Sequence, residues 1–337
     1  MTVSVLSIPS LPEIGQRRFW HGTQSISGRA LAIAEAARKE QQFFLVISAN
    51  NADAEALFEA LQFFISDDLP IWQMPDRETL AYDSFSPHQD IVSDRLKTLH
   101  QLSTATKGIL VCSVATLMHR LPPPHYIQSN SLQLKVGGTF DTKIFVEQLS
   151  KGGYRRTETV MEHGEFAVRG SLIDVFPMGS KTPYRIDLFD DEIESLRSFD
   201  PESQRSEDSF ESTALLPAGE IALDRRSIRL FKDNWHEHFP SAPRDCPIYL
   251  DVSEAIAPPG IEYYLPLFFD ETATLFDYLP TASCVFREAQ WEQQADKFWH
   301  DANERNNDLA IDPRRPLLAP ALLFLQKDDV HQALANL

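Results

Sequence analysis

The feature that most constrains the fold of this chain is the alternation of helical and wholly apolar segments between Gly15 and Pro122. Three segments have the spacing of apolar residues that is typical of helices: Arg29–Lys39, Asn51–Ile65 and Ile91–Leu102. Two shorter runs are apolar almost throughout: Phe43–Ser48 and Ile109–Val114. Because strands that are apolar on both faces occur in parallel sheets covered by helices, this part of the sequence predicts an α/β domain with a parallel sheet.

A different pattern begins after the prolines at positions 122–124, which cannot continue a helix. Asp141 is placed to cap a helix that follows it. Strands are predicted at Phe166–Phe176 and Tyr184–Phe189, with a turn at Pro177–Ser180 between them. A helix with adjacent strands and short turns predicts a small α+β domain, with a mostly antiparallel sheet, inserted into the α/β chain.

The second of these strands has two unlike faces. Tyr184, Ile186 and Leu188 alternate along it with Arg185, Asp187 and Phe189. Since the apolar face is expected to pack on the core, Phe189 should lie in water beside Arg185, and Arg169 of the preceding strand can join them across the sheet. Two interpretations are open: a solvated sheet face with one exposed ring, or a binding surface, because arginine and aromatic residues are common in binding hot spots.

Charge and cysteine content disfavour several classes of protein. The chain has 49 acidic and 31 basic residues and a formal net charge of -18, which argues against a general nucleic-acid binder. Three widely spaced cysteines, Cys112, Cys246 and Cys284, predict neither a disulfide scaffold nor a zinc finger. The sequence shows no signal-peptide pattern and no apolar run long enough to cross a membrane, so we expect a cytoplasmic chain without a membrane partner.

Two groups of side chains have the chemistry of metal ligands without a complete set. His88 lies near Asp90, and His163 lies between Glu162 and Glu165. A structural zinc site needs four spaced ligands, so hydrogen bonding within loops is favoured for both groups and no metal site is expected. No GxSxG motif is found in the sequence, so no serine nucleophile of that kind is predicted.

The stretch from Met161 to Asp200 resembles a known family. MEHGEFAVRGSLIDVFPMGS, followed by PYRIDLFDDEIESLRSFD, is closely similar to the second domain of the amino-terminal, UvrB-homologous module of bacterial transcription-repair coupling factors. The resemblance covers nearly the whole chain and is also specific at Ala81–Arg95. It implies that this domain is a docking surface for the nucleotide-excision-repair protein UvrA. The residues that the family implicates in docking correspond to Arg169, Arg185 and Phe189, and all three residue types are kept.

The same resemblance implies how the chain is divided. Residues 1–126 correspond to domain 1a, a degenerate P-loop domain of the RecA-like helicase type, and residues 127–208 correspond to the UvrA-binding domain 2. Residues 209–337 correspond to domain 1b, which packs back onto the first domain. The chain looks like a fragment, because far more sequence follows this module in the family.

The resemblance also implies an ATPase ancestor, but the nucleotide motifs are incomplete. A phosphate-binding loop has the pattern GxxxxGK[ST], whose last residue binds magnesium. The segment before the first helix contains only partial equivalents: Gly22, Gly28, Arg29 and Ala30. Counting from Gly22, or from the residue after it, supplies no hydroxyl ligand for magnesium. Where the second motif of UvrB has Asp-Glu, this chain has Arg287 and Glu288, and a cation there repels magnesium. We therefore expect no catalytic residues and no cofactor in this chain.

Two functional hypotheses follow. The preferred one is a non-catalytic module that recruits UvrA to stalled RNA polymerase, with the polymerase-binding part and the ATP- and magnesium-dependent DNA translocase outside this chain. The alternative is a UvrB-type, DNA-binding P-loop ATPase. UvrB carries a tyrosine-rich hairpin that inserts at damaged DNA, whereas this chain has only Tyr82 and Phe85 in the corresponding segment. The lack of a stacking platform therefore disfavours the alternative.

Overall fold

A computed structural model shows how these segments are arranged. The structure describes residues 11–12, 16, 18–19, 25–65, 69–239, 245–281 and 283–337. Within these residues the chain forms a parallel sheet and a separate, mostly antiparallel sheet, with helices packed around them. The predicted combination of an α/β part and an α+β part is confirmed. Among the described helices, none is both long and apolar enough to cross a membrane.

The parallel sheet has four strands, numbered here in chain order: β1 (Phe43–Ser48), β2 (Ile71–Gln73), β3 (Gly108–Ser113) and β12 (Ser283–Arg287). They lie in the order β12, β1, β3, β2, and each pair is parallel. β1 and β3 are buried along their whole length, which explains why their sequences are apolar on both faces. Because β12 comes from the last part of the chain, a distant segment completes the first sheet.

Helices cover both faces of this sheet. They are α1 (Ile26–Glu40), α2 (Asn51–Phe64) and α3 (Gln89–Leu102), followed by the short α4 (Val114–Leu117) and α5 (Pro124–Ser129). Phe44 and Val46 of β1 lie in one buried cluster with residues of α1 and α2. Leu45 and Ile47 point the other way and lie in a second cluster with Leu96 of α3. The alternation along β1 therefore supplies two cores, one on each side of the sheet.

The second sheet has six strands: β5 (Arg155–Arg156), β6 (Glu165–Arg169), β7 (Leu172–Val175), β8 (Tyr184–Phe189), β9 (Glu192–Phe199) and β10 (Ser206–Phe210). They lie in the order β10, β9, β8, β7, β6, β5, and only the β5–β6 pair is parallel. One face is covered by α6 (Thr142–Lys151), whose Phe145 and Leu149 share a buried cluster with Ile173 and Ile186. The predicted cap is confirmed, because the Asp141 carboxylate accepts hydrogen bonds from the backbone N–H groups of the first helical turn.

The prediction of one long strand over Phe166–Phe176 is wrong. The chain turns back at Gly170 and Ser171, so this segment forms the hairpin of β6 and β7, with Arg169 opposite Leu172. Gly170 has a φ of +64°, a conformation that glycine adopts without strain and that two-residue hairpin loops need. The glycine at this position was therefore a turn signal inside an apolar run.

A separate pair of strands joins the segment before the six-stranded sheet to the segment after it. β4 (Leu132–Lys135) and β11 (Ser212–Leu215) are antiparallel, with Leu132 opposite Leu215. This pairing connects residues on both sides of position 208. The division of the chain into residues 1–126, 127–208 and 209–337 stays a prediction.

The last part of the chain is mainly helical. Its elements are α7 (Arg225–His238), α8 (Pro247–Ser253), two 3-10 helices (Ile261–Phe268 and Leu275–Tyr278), α9 (Trp291–Leu309), α10 (Pro320–Leu323) and α11 (Lys327–Ala335). Its buried aromatic cluster contains Trp235 and Tyr263 and also includes Tyr82 of the first part. The rings of Tyr82 and Tyr263 are 5.7 Å apart, so the last part packs against the first.

Candidate protein-docking surface

One face of the six-stranded sheet brings together the charged side chains of three adjacent strands. In the β7–β8 pair Asp174 lies opposite Arg185, and in the β6–β7 pair Arg169 lies diagonally across from Asp174. Residues that pair across a sheet point to the same face, so the two predicted arginines lie together with a carboxylate between them. We call Arg169, Asp174, Arg185 and Phe189 the candidate docking face.

Asp174 is the centre of this group. Its Oδ1 accepts a hydrogen bond of 2.7 Å from Arg185 Nε, and its Oδ2 accepts one of 2.9 Å from Arg185 Nη2. Arg169 Nη2 also donates to Oδ2. The Asp174 side chain is only 1% exposed. A buried carboxylate with three charge-assisted hydrogen bonds holds both guanidinium groups in place.

Arg185 is mostly enclosed by its own sheet. Its guanidinium carbon lies 4.7 Å from the centre of the Phe199 ring, a cation–π contact. Its remaining Nη1 group donates to the Gln204 carbonyl at 3.2 Å and to Ser206 Oγ at 3.3 Å. The side chain is therefore only 17% exposed, whereas that of Arg169 is 46% exposed.

Phe189 lies at the end of β8 with its ring in water. It is 71% exposed, while the neighbouring Ile186 and Leu188 are buried. The predicted alternation along β8 is therefore confirmed, and Phe189 lies on the same face as Arg185. An exposed ring at the edge of an arginine-bearing face is an arrangement that a partner protein could cover.

Sequence reasoning missed two residues of this face. Asp174 was overlooked because its segment was assigned to one long strand, and recognising the Gly170 turn would have placed it between the arginines. Arg197 of β9 is exposed and lies directly opposite Arg185, so it belongs to the same face. Strict alternation gives no signal for Arg197, because the buried Ile193 and Leu196 of β9 are three residues apart across a register shift.

The remnants of the nucleotide motifs meet at the edge of the parallel sheet. Gly22 lies outside the described residues, whereas Gly28, Arg29 and Ala30 are within the first turns of α1, which Ser25 caps by accepting a hydrogen bond from Gly28 N–H. Arg29 forms an ion pair with Glu288, which follows β12. The second carboxylate oxygen of Glu288 accepts a hydrogen bond of 2.8 Å from the backbone N–H of Ala49, after β1. The arrangement brings both predicted segments together as a structural ion pair.

The neighbouring Arg287 takes no part in that ion pair. Its guanidinium carbon lies 5.1 Å from the centre of the Trp291 ring, at the start of α9. The cation that replaces the expected acid therefore packs against an aromatic ring.

The histidines considered as metal ligands have other partners. His163 Nδ1 lies 2.7 Å from Asp90 Oδ1, and its Nε2 lies 2.8 Å from the Ser180 carbonyl oxygen. Glu165 accepts hydrogen bonds from the backbone N–H groups of Met161 and Glu162 and from Arg155. Burial alone would raise the pKa of Glu165, but these donors outweigh it and lower the pKa. In the described ranges, no cluster of three or more His, Cys, Asp or Glu side chains is suited to a metal ion.

Comparison with known proteins identifies the class of this sheet. Residues 132–220 match the sequence profile of the UvrB interaction domain, so the α+β part, with its arginine-bearing face, is a domain of that class.

The whole chain has relatives as well. It is 44% identical over 308 residues to the transcription-repair-coupling factor of Haemophilus influenzae. The aligned residues make up 91% of this chain and 27% of the relative. It is 41% identical over 314 residues to the transcription-repair-coupling factor of Escherichia coli, covering 92% of this chain and 27% of the relative. The factor of Rickettsia prowazekii is 33% identical over 303 residues. The chain therefore belongs to the transcription-repair-coupling factor family, and it spans about a quarter of the length of these relatives.

Proposed function

We propose that this chain is the module of a transcription-repair coupling factor that recruits UvrA for transcription-coupled nucleotide excision repair. The observation that carries the proposal is Phe189, 71% exposed at the end of a strand and on the same sheet face as Arg169. This face belongs to a domain that matches the UvrB interaction domain. Burying the apolar surface of a large ring is favourable, so a partner that covers Phe189 would gain binding free energy.

The physical features of the face support a specific protein partner. Arg169 is held by one hydrogen bond to Asp174, and its other donors can pair with a carboxylate on the partner. The overall charge of -18 disfavours nucleic acid over most of the surface. An aromatic anchor with adjacent arginines is a common composition of binding hot spots.

The test is the affinity of the purified chain for purified UvrA. We expect Phe189→Ala and Arg169→Ala each to weaken binding by at least about tenfold, roughly 1.4 kcal/mol, without lowering the unfolding temperature. Phe63→Ala is a matched control, because Phe63 is 84% exposed but lies on α2, in the first part of the chain. Unchanged affinity in both docking-face variants would contradict the proposal.

We further propose that the predicted domains 1a and 1b, residues 1–126 and 209–337, form a degenerate P-loop domain of the RecA-like type that does not hydrolyse ATP. It supports the UvrB interaction domain matched at residues 132–220, which we call the docking domain. The ion pair between Arg29 and Glu288 supports this, because it neutralises the arginine that would have to face phosphate. The packing of Arg287 on Trp291 also leaves a cation where magnesium would need an acid.

A nucleotide-binding measurement in the presence of magnesium distinguishes this proposal from the UvrB-type ATPase. We expect no ATP binding at concentrations up to about 1 mM, the upper range of KM values in enzymes. Tight ATP binding that is lost in Arg29→Ala would support the ATPase instead.

The remaining roles belong to the parent protein. We propose that it contacts RNA polymerase and DNA, and that it uses ATP and magnesium in a translocase, through parts outside these 337 residues. We place this activity in the cytoplasm. The relatives are more than three times as long as this chain, which leaves room for such parts.

A further inference from the structure

The two arginines of the candidate docking face are held very differently. Arg185 donates hydrogen bonds from Nε and Nη2 to Asp174 and from Nη1 to the Gln204 carbonyl and Ser206 Oγ. The face of its guanidinium group lies over the Phe199 ring. Arg169 makes a single hydrogen bond, from Nη2 to Asp174, among the described residues. Arg185 therefore has few donors left for a partner, whereas Arg169 retains most of its own.

We propose that Asp174 is a positioning residue of the docking face, which together with Arg185 holds Arg169 in the orientation that binds a partner carboxylate. This inference rests on the proposed recruitment of UvrA. It assigns the partner contact to Arg169 and Phe189, and it assigns Arg185 to the support of Asp174.

The burial of Asp174 excludes direct contact with a partner. Its side chain is 1% exposed, and both carboxylate oxygens accept hydrogen bonds from guanidinium groups. A buried carboxylate requires counter-charge, and Arg185 supplies it through two parallel hydrogen bonds. The remaining lone pair of Oδ2 can then hold Arg169.

The loss of this carboxylate would free Arg169 to rotate. A long side chain loses rotamer freedom when it is fixed, so an arginine that is free to rotate must be ordered on binding. An asparagine at position 174 would place an amide N–H group against one of the guanidinium groups, where donors repel. The variant therefore changes the orientation of Arg169 without changing any residue that the partner touches.

The experiment is a double-mutant cycle on UvrA affinity with Asp174→Asn and Arg169→Ala. We expect Asp174→Asn alone to weaken binding about tenfold. In the Asp174→Asn background, Arg169→Ala should cost less than about threefold, because the arginine no longer contributes fully. Asp301→Asn is the matched control, since Asp301 is exposed on α9, in the last part of the chain, and forms no ion pair within the described residues, and it should leave affinity unchanged.

A second cycle keeps Asp174 intact in case Asp174→Asn does not fold. Arg185→Ala should weaken UvrA binding in the native background and add less than about threefold to Arg169→Ala. Additive losses in this cycle would show that Arg185 contacts UvrA independently and would overturn the inference. Asp174→Glu, which restores a carboxylate, should recover part of the affinity lost in Asp174→Asn.

The outcomes separate this inference from the proposed function. If Phe189→Ala weakens UvrA binding while Asp174→Asn matches the native chain, recruitment stands and the positioning role is refuted. If Phe189→Ala and Arg169→Ala both bind UvrA normally, the proposed function fails and the positioning role fails with it.

Discussion

Two phenylalanines in adjacent strands show how residue type alone leaves a role open. Phe189 ends β8 with its ring in water, whereas Phe199 ends β9 fully buried beneath Arg185. Both rings lie on the same face of the sheet, but the Arg185 guanidinium group covers Phe199, which also belongs to a buried cluster with Val160, Ala167 and Phe176. At the scale of the residue, exposure is therefore decided by the side chains that pack over a ring, and not by strand alternation alone.

A substitution at Gly170 tests the turn of the hairpin that presents Arg169. Its φ is +64°, and a Cβ built there has no atom within 4 Å, so Gly170→Ala should cost only the backbone strain, about 1 kcal/mol. Urea unfolding of the two chains measures this difference.

Gly108→Ala is the comparison for that measurement. A Cβ at Gly108 would lie 2.4 Å from the Trp72 ring and 2.7 Å from the Pro70 carbonyl oxygen. Overpacking adds about 1–3 kcal/mol to the strain, so this variant should be clearly less stable than Gly170→Ala. Equal losses in the two variants would show that steric contact is not the deciding term.

At the scale of elements, the starts of the helices follow from local chemistry. Asn50, Asp141 and Asp224 each accept a hydrogen bond from a backbone N–H group in the first turn of the helix that follows. Such caps satisfy donors that would otherwise be unpaired. These three helix starts therefore depend on residues that are close in sequence.

The attachment of α1 to the parallel sheet leads to an element-scale prediction. Glu288 accepts from Arg29 of α1 and from the backbone N–H of Ala49, so it links α1, β1 and β12. Glu288→Gln removes the charge and should lower the free energy of unfolding by about 1–3 kcal/mol.

The control for this variant is Glu35→Gln, which breaks an exposed ion pair with Arg38 within α1. Exposed pairs contribute little, so the control should lose less than about 1 kcal/mol. Hydrogen exchange of the α1 amides should increase in Glu288→Gln and remain close to the native rates in the control. Equal losses of stability and equal exchange rates in the two variants would show that linking α1 to β1 and β12 adds no more stability than an exposed ion pair.

At the scale of the whole molecule, a buried ion-pair network joins the docking domain to the first part. Glu220, the last residue of the UvrB interaction domain match, accepts hydrogen bonds from Arg77 at 2.5 Å and from Arg95 of α3 at 2.6 Å. All three side chains are buried. Gly179, in the turn after β7, also donates to Ser93 of α3 at 2.8 Å. With the contact between His163 and Asp90 of α3, the docking domain is therefore attached to α3 at three places.

The network predicts how stability depends on pH. Burial alone would raise the pKa of Glu220, but attraction by Arg77 and Arg95 outweighs it and lowers the pKa from 4.5 to about 2. Because the folded pKa is depressed, the stabilisation by Glu220 is fully present above the unfolded value and is lost as the pH falls from about 4.5 towards 2.

The corresponding variant is Glu220→Gln. At pH 7 it should lose about 3–5 kcal/mol, because two arginines remain buried without their counter-charge. The difference from the native chain should shrink between pH 4.5 and pH 2.5 in urea unfolding curves. A difference that stays constant over this interval would contradict the assigned pKa shift.

Much of the candidate site was predictable from the sequence, and the rest depended on pairings that no local pattern encodes. The period-two alternation of β8 predicted an exposed Phe189, but Asp174 was missed because the turn at Gly170 lay inside an apolar run. The contact between Arg29 and Glu288 joins residues 259 positions apart. No spacing rule covers such a distance.

By itself, the sequence determined the helix and strand periods, the helix caps and the apolar faces, because these depend on neighbours within one or two turns of the chain. Only the tertiary structure decided that β12 completes the first sheet, that Asp174 lies between two arginines, and that Glu220 joins the docking domain to α3. The physical reason is that these contacts arise from the packing and register of distant segments, which depend on the shape and burial of the whole molecule.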